Sequence, residues 1–308
     1  MGDLTSIDWR GVLILIGLAY APGAFWLWYF YRKDLEPEPL SVIRNCFLAG
    51  MAAVLPAIIL EQFFKFGGVI FVSVVVAPIV EECLKFSACF LVAYRGKDFD
   101  EPMDGIICAV SVAIGFASLE NIFYIFQAYH NGLSTLPTVA ILRAFFSVPG
   151  HALFSVMWGY ALGRAKFTDY HTGKRLIFVG LGLGIAAHSV FNMMAFLEPF
   201  WALGMMMFIP VVWGFANSKI AEAVQLSPHS AKANFRAKLW ELKKNVISDA
   251  NAGQWYENRF IVVVLLFFVF FPVGFYALYR NSTLSRPEKA AYIVLWLVWI
   301  GIGWTGMK

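Results

Sequence analysis

Long apolar runs, each near the ~20 residues that cross a bilayer as α-helix, are the feature that most restricts the fold of this chain. They lie near 11–31, 42–60, 68–93, 104–127, 138–163, 176–197, 200–217, 260–279 and 290–306. A helix satisfies its own backbone hydrogen bonds in lipid, where no water is available to do so. Only 14% of the residues are charged, against roughly a quarter in soluble domains. We therefore predict an all-α fold, a polytopic transmembrane helical bundle of about nine spans.

The same composition disfavours soluble enzymes, disordered chains and nucleic-acid modules. The sequence contains neither a phosphate-binding glycine loop nor a nucleic-acid motif, so we expect no nucleic-acid partner. The four cysteines form no CxxC pair, which argues against a zinc ribbon and a disulfide framework. The lipid bilayer is thus the first expected partner.

The positions of Lys and Arg predict an orientation. With the amino terminus outside, 17 of the 24 basic residues fall on the inner side and six on the outer side, while Lys85 lies within a span. Inner loops carry the excess of basic residues in membrane proteins. We therefore predict that the amino terminus is outside and the carboxyl terminus is cytoplasmic.

One long polar segment, 219–259, interrupts the apolar runs on the inner side. Phe235, Leu239, Leu242 and Val246 recur there at helical spacing, with basic residues beside them. This pattern is typical of an amphipathic helix that lies on the inner leaflet. A cytosolic hairpin packed on the bundle is the alternative.

Ionisable residues inside the spans are the candidate site. Each costs about 2.5–3.5 kcal/mol to insert at the centre of a membrane helix and so requires a reason. The third span contains Glu81, Glu82 and Lys85, and the spacing places Lys85 within reach of either carboxylate. Pro78 lies just before them and is expected to kink the helix.

The next three spans each add a polar residue at comparable depth. They contain Glu120, then His151, then His188 with Asn192 one helical turn later. Taken singly, such a residue is often an interhelical hydrogen bonder or a packing clamp. Four consecutive spans with such side chains instead predict one shared site.

Two kinds of chemistry fit these residues. Glu81 or Glu82 could act as a general base whose acidity Lys85 tunes. Two histidines and one glutamate are a catalytic zinc ligand set, so Glu120, His151 and His188 are candidate ligands for Zn²⁺. In the metal-free alternative, a glutamate polarises water while His188 and Asn192 donate hydrogen bonds to the oxyanion. The residues permit both routes.

At these positions the sequence resembles the PrsW family of intramembrane proteases, which are relatives of the CAAX prenyl endopeptidases in the wider CPBP group. Residues 81–85 resemble its EExxK motif, 116–120 its FxxxE motif, and 188–192 an HxxxD-like motif. The chain departs from the family pattern at Asn192, where the family usually has Asp.

The resemblance implies a catalytic membrane core at 40–200. It leaves 1–39 as the first transmembrane helix with its inner loop, and 201–308 as additional helices that include the inner segment 219–259. The implied activity is hydrolysis of a peptide bond in or near the transmembrane segment of a membrane protein, expected to be single-pass. Family members act on anti-sigma factors in signalling, and are regarded as metallo- or glutamate-type enzymes. The plasma membrane of a prokaryote is the implied location.

Two other functions share some of these features. Intramembrane Glu, Lys and His also form proton relays in transporters, although inverted repeats are missing from this sequence. A non-catalytic scaffold that binds partner helices is the second alternative.

Overall fold

The computed structural model describes residues 9–230, 255–266 and 271–305, and it contains no strand within these ranges. The chain divides into two compact units, residues 1–234 and residues 235–308. Seven helices of the first unit are long and apolar enough to cross a membrane. They are α1 (Trp9–Tyr31), α2 (Leu40–Gln62), α3 (Lys65–Tyr94), α4 (Pro102–Asn131), α5 (Leu136–Lys166), α6 (Tyr170–Met194) and α7 (Trp201–Leu226).

These seven helices confirm the first seven predicted spans. In the second unit, the described helices are α8 (Arg259–Val264), α9 (Phe271–Arg280) and α10 (Arg286–Thr305). The eighth predicted span includes residues 267–270, which lie outside the described residues. The ninth corresponds to α10, which is helical but is not among the seven candidate spans. The predicted amphipathic helix around Phe235 to Val246 also lies outside the described residues.

Helix α4 forms the centre of the first unit. Every residue from 101 to 118 is buried, and α1, α2 and α5 pack around this helix. Helix α6 packs on α5 and on α3, which brings the polar residues of four helices to one side of α4. The arrangement therefore places α3, α4, α5 and α6 around a common interior.

Two of these helices contain a widened π-helical turn next to a proline. In α3 the turn is Val72–Val76 and precedes Pro78, and in α5 it is Arg143–Ser147 and precedes Pro149. Proline has no N–H to donate to the preceding turn, and π-turns in helices are frequent at functional sites. The irregularity predicted at Pro78 is thus present as a widened turn just before Glu81.

Candidate active site

Lys85 lies at the centre of the polar cluster and is fully buried. Its Nζ atom lies 2.8 Å from Glu82 Oε1, 3.3 Å from Glu81 Oε2 and 2.9 Å from His151 Nδ1. These three contacts use the three N–H groups of the ammonium. The two carboxylate contacts follow from the i, i+3 and i, i+4 spacing on α3. The third joins α3 to α5.

Glu82 is enclosed by donors from three helices and is also fully buried. In addition to Lys85, Oε2 accepts hydrogen bonds from Ser155 Oγ at 3.2 Å and Trp158 Nε1 at 2.9 Å. His188 Nδ1 lies 3.0 Å from Oε1. Surrounded in this way, Glu82 is held as an ionised acceptor with no open side toward substrate.

The hydrogen-bond partners indicate which ring nitrogen of each histidine accepts and which donates. Because a lysine ammonium only donates, Nδ1 of His151 must accept from Lys85, and Nε2 then carries the proton that it shares with Glu120 Oε2 at 3.2 Å. Because Glu82 only accepts, Nδ1 of His188 donates to it. Nε2 of His188 has no hydrogen-bond partner among the described residues, and it carries a lone pair when the ring is neutral.

Glu120 is held by an arginine from α5. Arg143 Nη2 forms an ion pair with Glu120 Oε2, and its Nε donates to the side chain of Asn121. The guanidinium also lies 4.0 Å from the centroid of the Tyr124 ring. Arg143 was not among the predicted site residues. Its position shortly before His151 on the same helix was the signal that could have identified it.

A cavity of about 590 Å³ opens beside this cluster. Its polar lining includes Glu81, Glu120, His151, His188 and Asn192, whereas Glu82 and Lys85 do not reach it. The cavity is also lined by Glu61, Tyr124, Arg143, Glu198 and Trp201. Glu61, which was not among the predicted site residues, enters from the end of α2. The structure thus separates Glu81, which faces the cavity, from Glu82, which lies behind it.

Asn192 connects the site to the widened turn of α3. Its Nδ2 donates to the backbone carbonyl of Ser73 at 2.8 Å, within the π-turn Val72–Val76. An amide NH₂ has two hydrogens, so one remains for the cavity that Asn192 lines. The predicted contact with an oxyanion therefore stays a prediction that is compatible with this position.

Three side chains could hold a metal ion. One donor atom each from Glu81, His151 and His188 lie within 4.8 Å of one another, and all three residues are buried. Two imidazoles and a carboxylate match the ligands of catalytic zinc. His151 must exchange Lys85 or Glu120 for the ion, since both of its nitrogens are hydrogen bonded. The sequence had placed Glu120 in this trio, but here Glu120 pairs with Arg143 and Glu81 lies with the histidines.

Comparison with known proteins gives a consistent set of relatives. Residues 38–215 match the model of the PrsW family, described as intramembrane metalloproteases. The chain is 35% identical to the protease PrsW of Geobacillus kaustophilus over 217 residues, which cover 68% of this chain and 92% of that protein. It is 31% identical to the protease PrsW of Bacillus subtilis over 214 residues, which cover 68% of this chain and 95% of that protein. No solved structure matches the chain.

Proposed function

This chain belongs to the PrsW family of intramembrane metalloproteases, and we propose that it hydrolyses a peptide bond in or near the transmembrane segment of a single-pass membrane protein. The observation that carries the proposal is the buried group of Glu81, His151 and His188 beside a cavity within the membrane-spanning helices. A peptide bond in lipid can be hydrolysed only where water and a group that activates it are brought together. The cavity and these three side chains supply both.

Glu81 is the residue that we assign to the attacking water. Its carboxylate faces the cavity, and Lys85 anchors one of its oxygens at 3.3 Å. The remaining oxygen can accept a proton from a water molecule, and the lone pair of His188 Nε2 faces the same space. The free amide hydrogen of Asn192 is assigned to the oxyanion that forms as water attacks the carbonyl.

A metal ion bound by Glu81, His151 and His188 would lower the pKa of a bound water and polarise the peptide carbonyl. We propose Zn²⁺ because of the donor set. The composition of the cluster supports this, since the three carboxyl groups of Glu81, Glu82 and Glu120 pair with only two basic side chains, Lys85 and Arg143. Glu81 acts on the attacking water in either case. Without metal it is the base that takes a proton from the water, and with metal it is one of the ligands of the ion.

The position of the cavity suggests which part of a substrate is cut. The cavity extends from Glu81, in the middle of α3, to Glu61 at the end of α2 and Glu198 between α6 and α7. With the amino terminus outside and nine spans, as the sequence predicts, these helix ends lie on the outer side. The proposed cleavage point is then in the outer half of the substrate helix.

The family core also bears on how the chain is divided. All proposed catalytic residues lie within the matched range 38–215, and we propose residues 40–200 as the catalytic core. We assign residues 1–39 to the first transmembrane helix and its inner loop, and residues 201–308 to substrate access, partner docking or packing. An anti-sigma factor, the substrate class that the resemblance implies, is the first substrate to assay.

The central test compares two cavity-lining glutamates in the purified protein with a single-pass reporter substrate. Glu81→Gln keeps the shape of the side chain but cannot take a proton, so we expect cleavage to fall by about 10²–10⁴-fold. Glu198→Gln, a change in the same cavity but away from the cluster, should stay within about threefold of wild type. Equal activity of the two variants would contradict the assignment of Glu81.

Metal content tests the cofactor independently of activity. We expect elemental analysis to find about one zinc per chain. The metal should be lost from His188→Gln and retained by Glu198→Gln. A wild-type protein that cleaves the reporter after chelation, with no zinc bound, would assign the reaction to the metal-free route instead.

A further inference from the structure

Four buried carboxylates lie together at the opposite end of α4 from the catalytic cavity. Asp34 and Glu38 come from the connection between α1 and α2, Glu101 precedes α4, and Asp104 lies in its first turn. We call these four residues the acidic cluster. Asp104 and Glu120 are 16 residues apart on one helix, which is about 24 Å along its axis. None of the four lines the catalytic cavity.

The acidic cluster has no basic partner in the described part of the chain. No ion pair there involves Asp34, Glu38, Glu101 or Asp104. The nearby groups that act most on Glu38 are acids themselves, Asp34 first. Burial and these like charges raise the pKa of Glu38 to about 8. Buried charges of one sign without a counterion are strongly unfavourable.

Several carboxylate oxygens of the acidic cluster are buried without any hydrogen-bond partner among the described residues. They are Asp34 Oδ2, Glu101 Oε1 and both oxygens of Glu38. Glu38 is only 3% exposed and Glu101 only 1%. Buried polar atoms in proteins nearly always have partners. The carboxyl groups of Asp34 and Glu101 are close enough to share a proton, but both oxygens of Glu38 remain without a partner, which indicates a missing ligand.

Other oxygens of the acidic cluster are held firmly in place. Asp104 Oδ2 accepts from the backbone N–H groups of Asp100 and Glu101, each at 2.7 Å. Glu101 Oε2 accepts from Ser227 Oγ, and Asp34 Oδ1 accepts from the backbone of Glu36 at 3.3 Å. One oxygen each from Asp34, Glu101 and Asp104 lie within 4.8 Å of one another. The carboxylates are thus oriented before any ligand arrives.

We propose that the acidic cluster is a second metal site, which binds one hard divalent cation (Mg²⁺, Mn²⁺ or Ca²⁺) through Asp34, Glu101 and Asp104, with Glu38 adding charge. All donors are oxygens, which these cations prefer, whereas zinc favours the nitrogen-rich catalytic trio. The ion would join the α1–α2 connection to the start of α4. Ser227, bonded to Glu101, extends the contact to the end of α7. The role of the site is therefore to hold the α1–α2 connection, the start of α4 and the end of α7 together.

Mn²⁺ binding to the full chain, followed by electron paramagnetic resonance, tests this directly. The titration uses the Glu81→Gln chain so that the catalytic trio contributes less, and its result does not depend on cleavage. We expect saturable binding of one Mn²⁺ that Ca²⁺ or Mg²⁺ displaces. Asp34→Asn should weaken it by about 100-fold, since losing even a neighbour of a metal ligand costs 10–100-fold.

Glu36→Gln is the matched control, because Glu36 is in the same connection but its side chain is 63% exposed and pairs with His229. It should bind Mn²⁺ as its parent does. If no Mn²⁺ binds saturably, or if Asp34→Asn and Glu36→Gln bind it equally, the proposal is wrong and the carboxylates share protons instead.

Thermal unfolding gives a second readout with a characteristic reversal. In chelator, Glu38→Gln should unfold at the same temperature as its parent or above it, because it removes a buried carboxyl group that has neither a counterion nor a hydrogen-bond partner in the described part of the chain. With saturating Mn²⁺ the parent should become the more stable protein. The same order of stability in both conditions would contradict a cation site.

Discussion

Glu81 and Glu82 are adjacent residues with different surroundings. Successive residues of a helix point about 100° apart, so one carboxylate faces the cavity and the other faces α5 and α6. Glu82 joins Lys85, Ser155, Trp158 and His188 in one buried network. We therefore expect Glu82 to support the fold and the orientation of His188, and Glu81 to act on water.

Glu82→Gln should lower the free energy of unfolding by about 1–3 kcal/mol, because the buried donors around this position lose their ionised acceptor and Lys85 keeps only Glu81 as a carboxylate partner. Cleavage should fall as well, since His188 loses its anionic acceptor. Glu81→Gln is the matched change on the neighbouring residue and should lose activity with a smaller loss of stability. Denaturant unfolding and the reporter assay measure both. A Glu82→Gln protein that cleaves at the wild-type rate would contradict the network.

At the scale of helices, the contact between α5 and α6 determines where His188 lies. A Cβ atom on Gly180 would lie 2.5 Å from Ala161 Cβ, and one on Gly184 would lie 2.9 Å from the Phe154 carbonyl oxygen. Small residues allow membrane helices to approach in this way. Gly182, on the same helix, has nothing within 4 Å of that position. Gly180 and Gly184 thus allow the close packing of α5 and α6, whereas Gly182 does not take part in it.

Gly184→Leu should separate α6 from α5, displace His188 and reduce both stability and cleavage. Gly182→Leu adds the same side chain to the same helix in open space, so it should change neither by more than about twofold in rate or ~0.5 kcal/mol in stability. Thermal unfolding and reporter cleavage of the two variants make the comparison. If Gly182→Leu is as damaging as Gly184→Leu, close packing at Gly184 does not explain the effect.

At the scale of the whole molecule, the two polar centres of the first unit lie toward opposite ends of α4. The catalytic cavity reaches Glu61 and Glu198, at the ends of α2 and α6 that the predicted topology places outside. The acidic cluster lies at the end of α1 and the start of α4, which the predicted topology places inside. The orientation of the chain therefore decides which compartment supplies water and substrate to the cavity.

Single cysteines introduced into connections at opposite ends of the helices test the orientation. Asn131→Cys, at the end of α4, should react with a membrane-impermeant maleimide on intact cells. Thr172→Cys, at the start of α6, should react only after the cells are opened. Both positions are exposed, whereas Cys46, Cys89 and Cys108 are buried and should stay unlabelled in either case. The reverse pattern would place the amino terminus inside.

The sequence by itself predicted about nine membrane spans, seven of which are membrane-length helices in the described part of the chain, because a bilayer imposes a length and a polarity that a run of residues either meets or does not. It also determined that Glu81, Glu82, Lys85, Glu120, His151 and His188 share a site, because ionisable groups in lipid need partners. Only the tertiary structure decided that Arg143 holds Glu120 and that Glu81 joins the histidines. Only the tertiary structure shows that Asp34 lies near Asp104. Spacing along one helix fixes which residues share a face, but the contacts between helices depend on how closely they pack.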